Sequence, residues 1–168
     1  MMERVYLGLG SNLAEPRRQL DAALEALARL PHSELVAVSA FYASDPLGPP
    51  DQPRYVNAVA ALDTGLEPLA LLDATQAIEQ QQGRVRKDER WGPRTLDIDI
   101  LLHGDLTGEF AGLTLPRAEI LRNAFVLWPL ALLAGERRHP DNGRRFDELW
   151  QEMRGQTTQV LRPVAFRW

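Results

Sequence analysis

The chain has no cysteine among its 168 residues. That removes disulfides and thiolate chemistry, and it is compatible with a reducing compartment. Histidine is scarce as well. His32, His103 and His139 stand far apart, and each reads as a surface or turn residue rather than a metal ligand. No G-x-x-x-x-G-K-[ST] loop occurs, so the chain is not a P-loop enzyme. "GLGSN" near the start has too few glycines for a dinucleotide fingerprint, and reads as a strand exit with Ser11 or Asn12 near a helix start. No apolar run reaches the roughly 18 residues of a membrane-spanning helix, and the opening "MMERVYLGLGSN" is too short in apolar residues for a signal peptide. These absences predict a soluble cytoplasmic protein. Positive charge is not in excess either: 19 basic against 23 acidic residues give a net charge of −4. A general nucleic-acid or anionic-membrane binder depends on summed positive potential, so any anion site here has to be local.

Hydrophobic periodicity gives the element order. "RVYLGLG" suits a first strand, and Leu20, Ala23, Leu24, Leu27 and Leu30 then recur at helical spacing. "ELVAVSAFYAS" reads as a second strand, followed by "DPLGPPDQP", a rigid loop whose four prolines preclude regular hydrogen bonding. "RYVNAVAALDT" is a third strand. A second helix is predicted over Glu67–Gln82, with Pro68 in its first turn, and with Leu71, Ala74, Thr75 and Ile78 on one side. "TLDIDILLHGD" is a fourth strand. The resulting β-α-β-β-α-β order predicts an α+β, ferredoxin-like antiparallel sheet with helices on one face and the other face free for a site. After residue 105, "EILRNAFVLWPLALLAG" reads as a helix broken near Pro129, and "TTQVLRPVAFRW" as a weak strand. The length suits one domain, residues 1–168.

The fourth strand carries two acids. Residues two apart on a strand point the same way, so Asp97 and Asp99 share a face while Leu96, Ile98 and Ile100 face the core. Two such carboxylates repel, and a hard divalent cation relieves the repulsion while gaining oxygen ligands, with magnesium as the natural candidate. Alone, the pair is equally a solvated strand face. Directly before it, Arg84, Arg86, Lys87, Arg90 and Arg94 outweigh Asp88 and Glu89. Guanidinium forks hold phosphate oxygens in two-point contacts that a carboxylate-bound cation complements, so the combination reads as a polyphosphate site. Trp91 lies within the same run, where its ring can wall off a flat ligand. Tyr55 and Asn57 share a strand face after the proline-rich loop, and Phe125 can supply a second ring. Such a set suits a flat, amide-rich heterocycle.

With these residues in view, the chain resembles 6-hydroxymethyl-7,8-dihydropterin pyrophosphokinases, enzymes of folate biosynthesis. The resemblance rests on "GLGSNL", "DPLGPPDQPRYVNAV", "NAFVLWPL" and, most specifically, "GRVRKDERWGPRTLDIDIL". It implies a single pyrophosphokinase domain that transfers diphosphate from ATP to the pterin hydroxymethyl group and releases AMP. It also implies two Mg2+ ions on Asp97 and Asp99, with Arg84 and Arg94 acting in catalysis beside them. Gln76, Glu79, Arg84, Arg86, Arg90, Trp91, Arg94, Ile100, Thr114 and Arg117 match nucleotide positions. Ser44, Asp45, Pro46, Leu47, Tyr55, Asn57, Trp91 and Phe125 match pterin positions. A monomer without nucleic-acid or membrane partners is expected. The family usually places histidine where this chain has Arg117, and arginine where it has Asn123, with Arg122 next door as a substitute. Ala118 and Asp45 depart too. Two rival readings follow: a diverged paralogue that binds pterin but transfers poorly, and a ferredoxin-like RNA-binding sheet. The second is opposed by carboxylates on the face that would meet phosphates.

Overall fold

The computed structural model describes residues 2–11, 15–44, 55–82, 96–157 and 162–163. Strand β1 (Glu3–Ser11) lies at the centre of the sheet, antiparallel to β4 (Tyr55–Thr64) on one side and to β5 (Asp97–His103) on the other. Its alternation sorts the side chains. Val5, Leu7 and Leu9 enter one core, while Tyr6, Gly8 and Gly10 face the opposite side. Beyond β4 the sheet divides: β2 (Ser33–Val38) pairs with the Ala60–Thr64 half of β4, and β3 (Tyr42–Ser44) pairs with Tyr55–Asn57. The single second strand expected over residues 34–44 is therefore two strands. The Ser39 hydroxyl accepts from the Val59 N–H at 2.9 Å and donates to the Ala40 carbonyl at 2.8 Å, so a side chain replaces one rung of the ladder and bends the chain there. The last strand, β8 (Arg162–Pro163), adds to β3.

Helices α1 (Pro16–Ala28) and α2 (Pro68–Gln81) each begin with proline in the first turn, where a missing N–H costs no hydrogen bond. Leu20, Ala23 and Leu27 of α1 and Leu71 and Ile78 of α2 pack on Val5, Leu7, Ala58, Ala60, Leu62, Ile98 and Ile100. This is the larger core. The opposite face differs from the expectation of a free surface, because α3 (Ala124–Ala134) and α4 (Phe146–Arg154) cover half of it. Leu127, Leu130 and the fully buried Phe146 pack on Tyr6, Val59, Ala61, Leu101 and Leu102. Among the described residues, the end carrying Gly8, Gly10, Asp97 and Asp99 stays open to a cavity.

Helix α3 is not broken at Pro129, which sits inside it with its ring buried. The break lies earlier. A 3-10 turn (Ala118–Leu121) ends at Arg122, and Asn123 starts α3 by accepting the Phe125 N–H on its side-chain oxygen at 2.9 Å. Between β5 and that turn lies a hairpin that periodicity does not reveal, β6 (Gly108–Phe110) and β7 (Leu113–Leu115). Ala111 and Gly112 join its strands with φ of 51° and 92°, the two positive angles of a tight hairpin turn. Two of the three histidines are buried rather than superficial: His103 places Nε2 2.9 Å from the Leu66 carbonyl, and His139 lies inside the turn before α4.

Candidate active site

The open end of the sheet forms the floor of a cavity of about 190 Å³. Its rows follow from register: Asp97, Gly10 and Asn57 lie side by side across β5, β1 and β4, and Asp99, Gly8 and Val59 form the next row. Asp97 and Asp99 are half-buried, while Leu96, Ile98 and Ile100 are buried in the core on the other side, as strand alternation requires. Phe125, in the first turn of α3, and Tyr55, at the start of β4, line the same cavity with Asn57 and Arg117.

The two glycines make that floor flat. A Cβ on Gly10 would stand 2.4 Å from Tyr55 Cε1 and 3.1 Å from Asn57 Oδ1, so the tyrosine ring lies directly against the backbone of β1. A Cβ on Gly8 would meet only the Leu101 side chain, at 3.5 Å or more. Reading "GLG" as a strand exit misses this. The available signal was two glycines spaced by two inside an apolar strand, both on the face opposite the leucines.

Both carboxylates are held by the chain's own groups. The Tyr55 hydroxyl donates to Asp97 Oδ2 at 2.6 Å, and Arg117 Nη2 lies 3.4 Å from Asp99 Oδ1. Arg117 is placed by its backbone, whose N–H donates to the Leu101 carbonyl at 3.0 Å. Strand β5 is an edge strand, and edge N–H groups need partners. Glu79 of α2, itself buried, accepts the Ile98 N–H at 2.7 Å and so fixes the backbone between the two aspartates from behind. This charge-assisted bond explains a buried carboxylate on α2.

Of the residues marked for nucleotide binding, Arg117 reaches the cavity and Glu79 stands behind it. The Ile100 side chain is in the core, Gln76 is exposed on α2, and Thr114 on β7 is exposed and donates to Glu109 at 3.1 Å. Of those marked for the pterin, Tyr55, Asn57 and Phe125 share the cavity wall. Ser44 is described only as the backbone that ends β3. Asp45, Pro46, Leu47, Arg84, Arg86, Arg90, Trp91 and Arg94 lie outside the described residues. Arg122, offered as a substitute for the arginine missing at Asn123, lines a separate groove with Leu127, Leu149, Glu152 and Met153. Asn123 is a helix cap and cavity-lining residue, so its departure from arginine has a structural role in seating Phe125.

Among the described residues no three acids or histidines cluster as a ready-made metal cage. Two carboxylates on one face still fit magnesium, which keeps several waters and is commonly bound by one or two carboxylates together with substrate phosphates.

Comparison with known proteins gives the family and the fold. The family model described as 7,8-dihydro-6-hydroxymethylpterin-pyrophosphokinase matches residues 6–135. A 2-amino-4-hydroxy-6-hydroxymethyldihydropteridine pyrophosphokinase of Pseudomonas aeruginosa is 62% identical over 149 residues, covering 89% of this chain and 91% of that protein. One of the same name from Haemophilus influenzae is 51% identical over 135 residues, covering 80% and 84%. The fold is similar to that of the Plasmodium falciparum HPPK-DHPS triple mutant crystallised with STZ-DHP, with a TM-score of 0.73 at 12% identity over 93% of this chain. The chain spans 45% of the length of that solved protein.

Proposed function

The chain belongs to the 7,8-dihydro-6-hydroxymethylpterin-pyrophosphokinase family, and from that premise we propose that it transfers diphosphate from ATP to the hydroxymethyl group of 6-hydroxymethyl-7,8-dihydropterin. AMP is the second product. One observation carries the reading: a single cavity joins two same-face carboxylates, Asp97 and Asp99, to a ring-and-amide wall of Tyr55, Asn57 and Phe125. Neither half alone suits a diphosphate transfer; together they place an anion-handling floor beside a slot for a flat bicycle.

In this reading the pterin lies between Tyr55 and Phe125, and Asn57 both donates to and accepts from its amide edge. The pterin hydroxyl oxygen attacks the β-phosphorus, the bond from that phosphorus to the α,β-bridging oxygen breaks, and AMP departs with the bonding pair. The hydroxyl proton is lost to solvent or to a phosphate oxygen. Asp97 and Asp99 would hold the magnesium, taken as two ions, and the metal when bound would supply charge neutralisation on the phosphates and acidify the attacking hydroxyl. Arg84, Arg86, Arg90 and Arg94 are assigned the guanidinium contacts to the phosphates, Arg84 and Arg94 the catalytic ones among them, and Trp91 a share in binding both ligands. Gln76, Thr114 and Arg117 border the triphosphate, Ile100 meets the nucleotide through its backbone, and the Ser44–Leu47 backbone reads the pterin edge. Positioning and electrostatics supply the rate, because the reaction asks for little covalent help.

The strand order β5-β1-β4-β2, with α1 and α2 on one face, supports classing the core as ferredoxin-like. We read residues 1–168 as one domain that acts as a monomer in the cytoplasm, as the sequence leads one to expect. Among the described residues no helix is long and apolar enough to cross a membrane. Incubating the protein with ATP, magnesium and the pterin alcohol tests the function: AMP and pterin diphosphate form in equal amounts. AMP without pterin product, or ADP in its place, contradicts it.

A further inference from the structure

We propose that Arg117 is a built-in rival of the divalent cation at Asp99, so that free metal is kept weak and metal and triphosphate load together. The inference rests on the carboxylate reading of the site just given and assigns that site its loading control. Three observations carry it. The Arg117 backbone is pinned to Leu101, but the guanidinium sits at the cavity edge between two carboxylates, 3.4 Å from Asp99 Oδ1 and 3.1 Å from Glu119 Oε1. Both distances are longer than the 2.7–2.9 Å, roughly, of a strong charge-assisted bond. Arg117 Nε is buried and lacks an aligned hydrogen-bond partner despite its proximity to Glu119. The guanidinium is thus held by charge, not locked by geometry, and it has an unused donor.

A guanidinium and a dication on the same carboxylate repel each other. The metal must displace the arginine or accept that repulsion. A triphosphate changes the balance, because it offers the fork two-point acceptors that Asp99 and Glu119 do not provide, and the released carboxylate then accepts the metal. Coupling of this kind is reciprocal: whatever draws Arg117 from Asp99 strengthens metal binding, and metal on Asp99 sends Arg117 to the phosphates.

The test measures Mn2+ uptake by electron paramagnetic resonance at low salt in wild type, Arg117→Met and Arg117→Lys, first alone and then with the non-hydrolysable methylene analogue of ATP. Without nucleotide, Arg117→Met binds Mn2+ roughly tenfold tighter, the scale of removing one cation about 5 Å from a double charge in a water-like dielectric. The same variant binds the Mn2+-analogue complex more weakly, roughly tenfold, having lost a fork on the phosphates. Arg117→Lys keeps the charge and stays near wild type for metal alone. A merely structural role would move both affinities of Arg117→Met downward, and that result, or an unchanged Mn2+ affinity in Arg117→Met, overturns the proposal. Wild type that takes up no Mn2+ even with the analogue defeats the site reading itself.

Discussion

Replacing Gly10 by alanine isolates the contact between the sheet floor and the ring wall. The new Cβ would stand 2.4 Å from Tyr55 Cε1, whereas carbon atoms settle at roughly 3.5–4.0 Å, so the ring must retreat by about 1 Å or more. Tyr55 can retreat only by lengthening its 2.6 Å bond to Asp97 or by leaving its stacking position. Overpacking of this kind costs about 1–3 kcal/mol, partly offset by the 0.4–1 kcal/mol or so gained from restricting the unfolded chain. A net loss near 1 kcal/mol lowers the melting temperature by about 2–4 °C for a chain of this size. Ligand affinity falls further, since a displaced ring forfeits about 0.5–1.5 kcal/mol of stacking, roughly two- to twelvefold in Kd. Gly8→Ala is the control. Its Cβ makes only ordinary contact with Leu101, so it melts at or slightly above wild type. Calorimetry with a pterin alcohol and the ATP analogue, beside thermal melts of both variants, reads the two effects. If Gly10→Ala matches Gly8→Ala in both, the close approach of Tyr55 to β1 is not what shapes the site.

Asp97→Asn keeps an acceptor for Tyr55 and should melt within a few degrees of wild type while losing diphosphate transfer; AMP release near the wild-type rate would remove the metal role from Asp97. Glu79→Ala leaves the Ile98 N–H unpaired and should cost about 1–3 kcal/mol, whereas Glu79→Gln, which can still accept, should cost less; equal melting temperatures would show that this bond does not hold β5. Burial holds His139 below the ordinary histidine value of about 6.5, with nearby Asp141 opposing weakly. The unfolded chain therefore takes the proton first as pH falls, and His139 lets stability stand in full above about pH 6.5 and draws it down below that value. His139→Asn, which can still accept the Asp141 and Asn142 N–H groups, should flatten urea-midpoint loss between pH 7 and 5; an unchanged slope would exclude His139 as its source.

How much of this was legible in the sequence depends on range. The Asp97–Ile98–Asp99 alternation, the Pro68 start of α2 and the Leu20, Ala23, Leu27 stripe all depend on neighbours within a turn or a strand, and they read directly. Contacts between distant segments did not. Arg117 meets Asp99 only because the β6–β7 hairpin returns the chain to β5, and that hairpin is three residues a strand with alanine where an asparagine or glycine would have signalled the turn. The cover of α3 and α4 over half the sheet follows from Phe146 and Leu130, whose apolar character says buried but not against what. Ser39 shows the reverse limit: an apolar run predicted one strand, and a single hydroxyl that takes a backbone N–H divided it. The cavity's polar residues stood out in the sequence because chemistry restricts them; its glycines did not, because their contribution is the space they leave.

The central claim is that Asp97 and Asp99 bind the triphosphate through a divalent ion. Calorimetric titration of the non-hydrolysable ATP analogue into wild type and into the double variant Asp97→Asn, Asp99→Asn, each with magnesium and with chelator, tests it most directly. Tight binding is predicted only for wild type with magnesium. Binding of equal strength in the double variant, or in chelator, would contradict the claim.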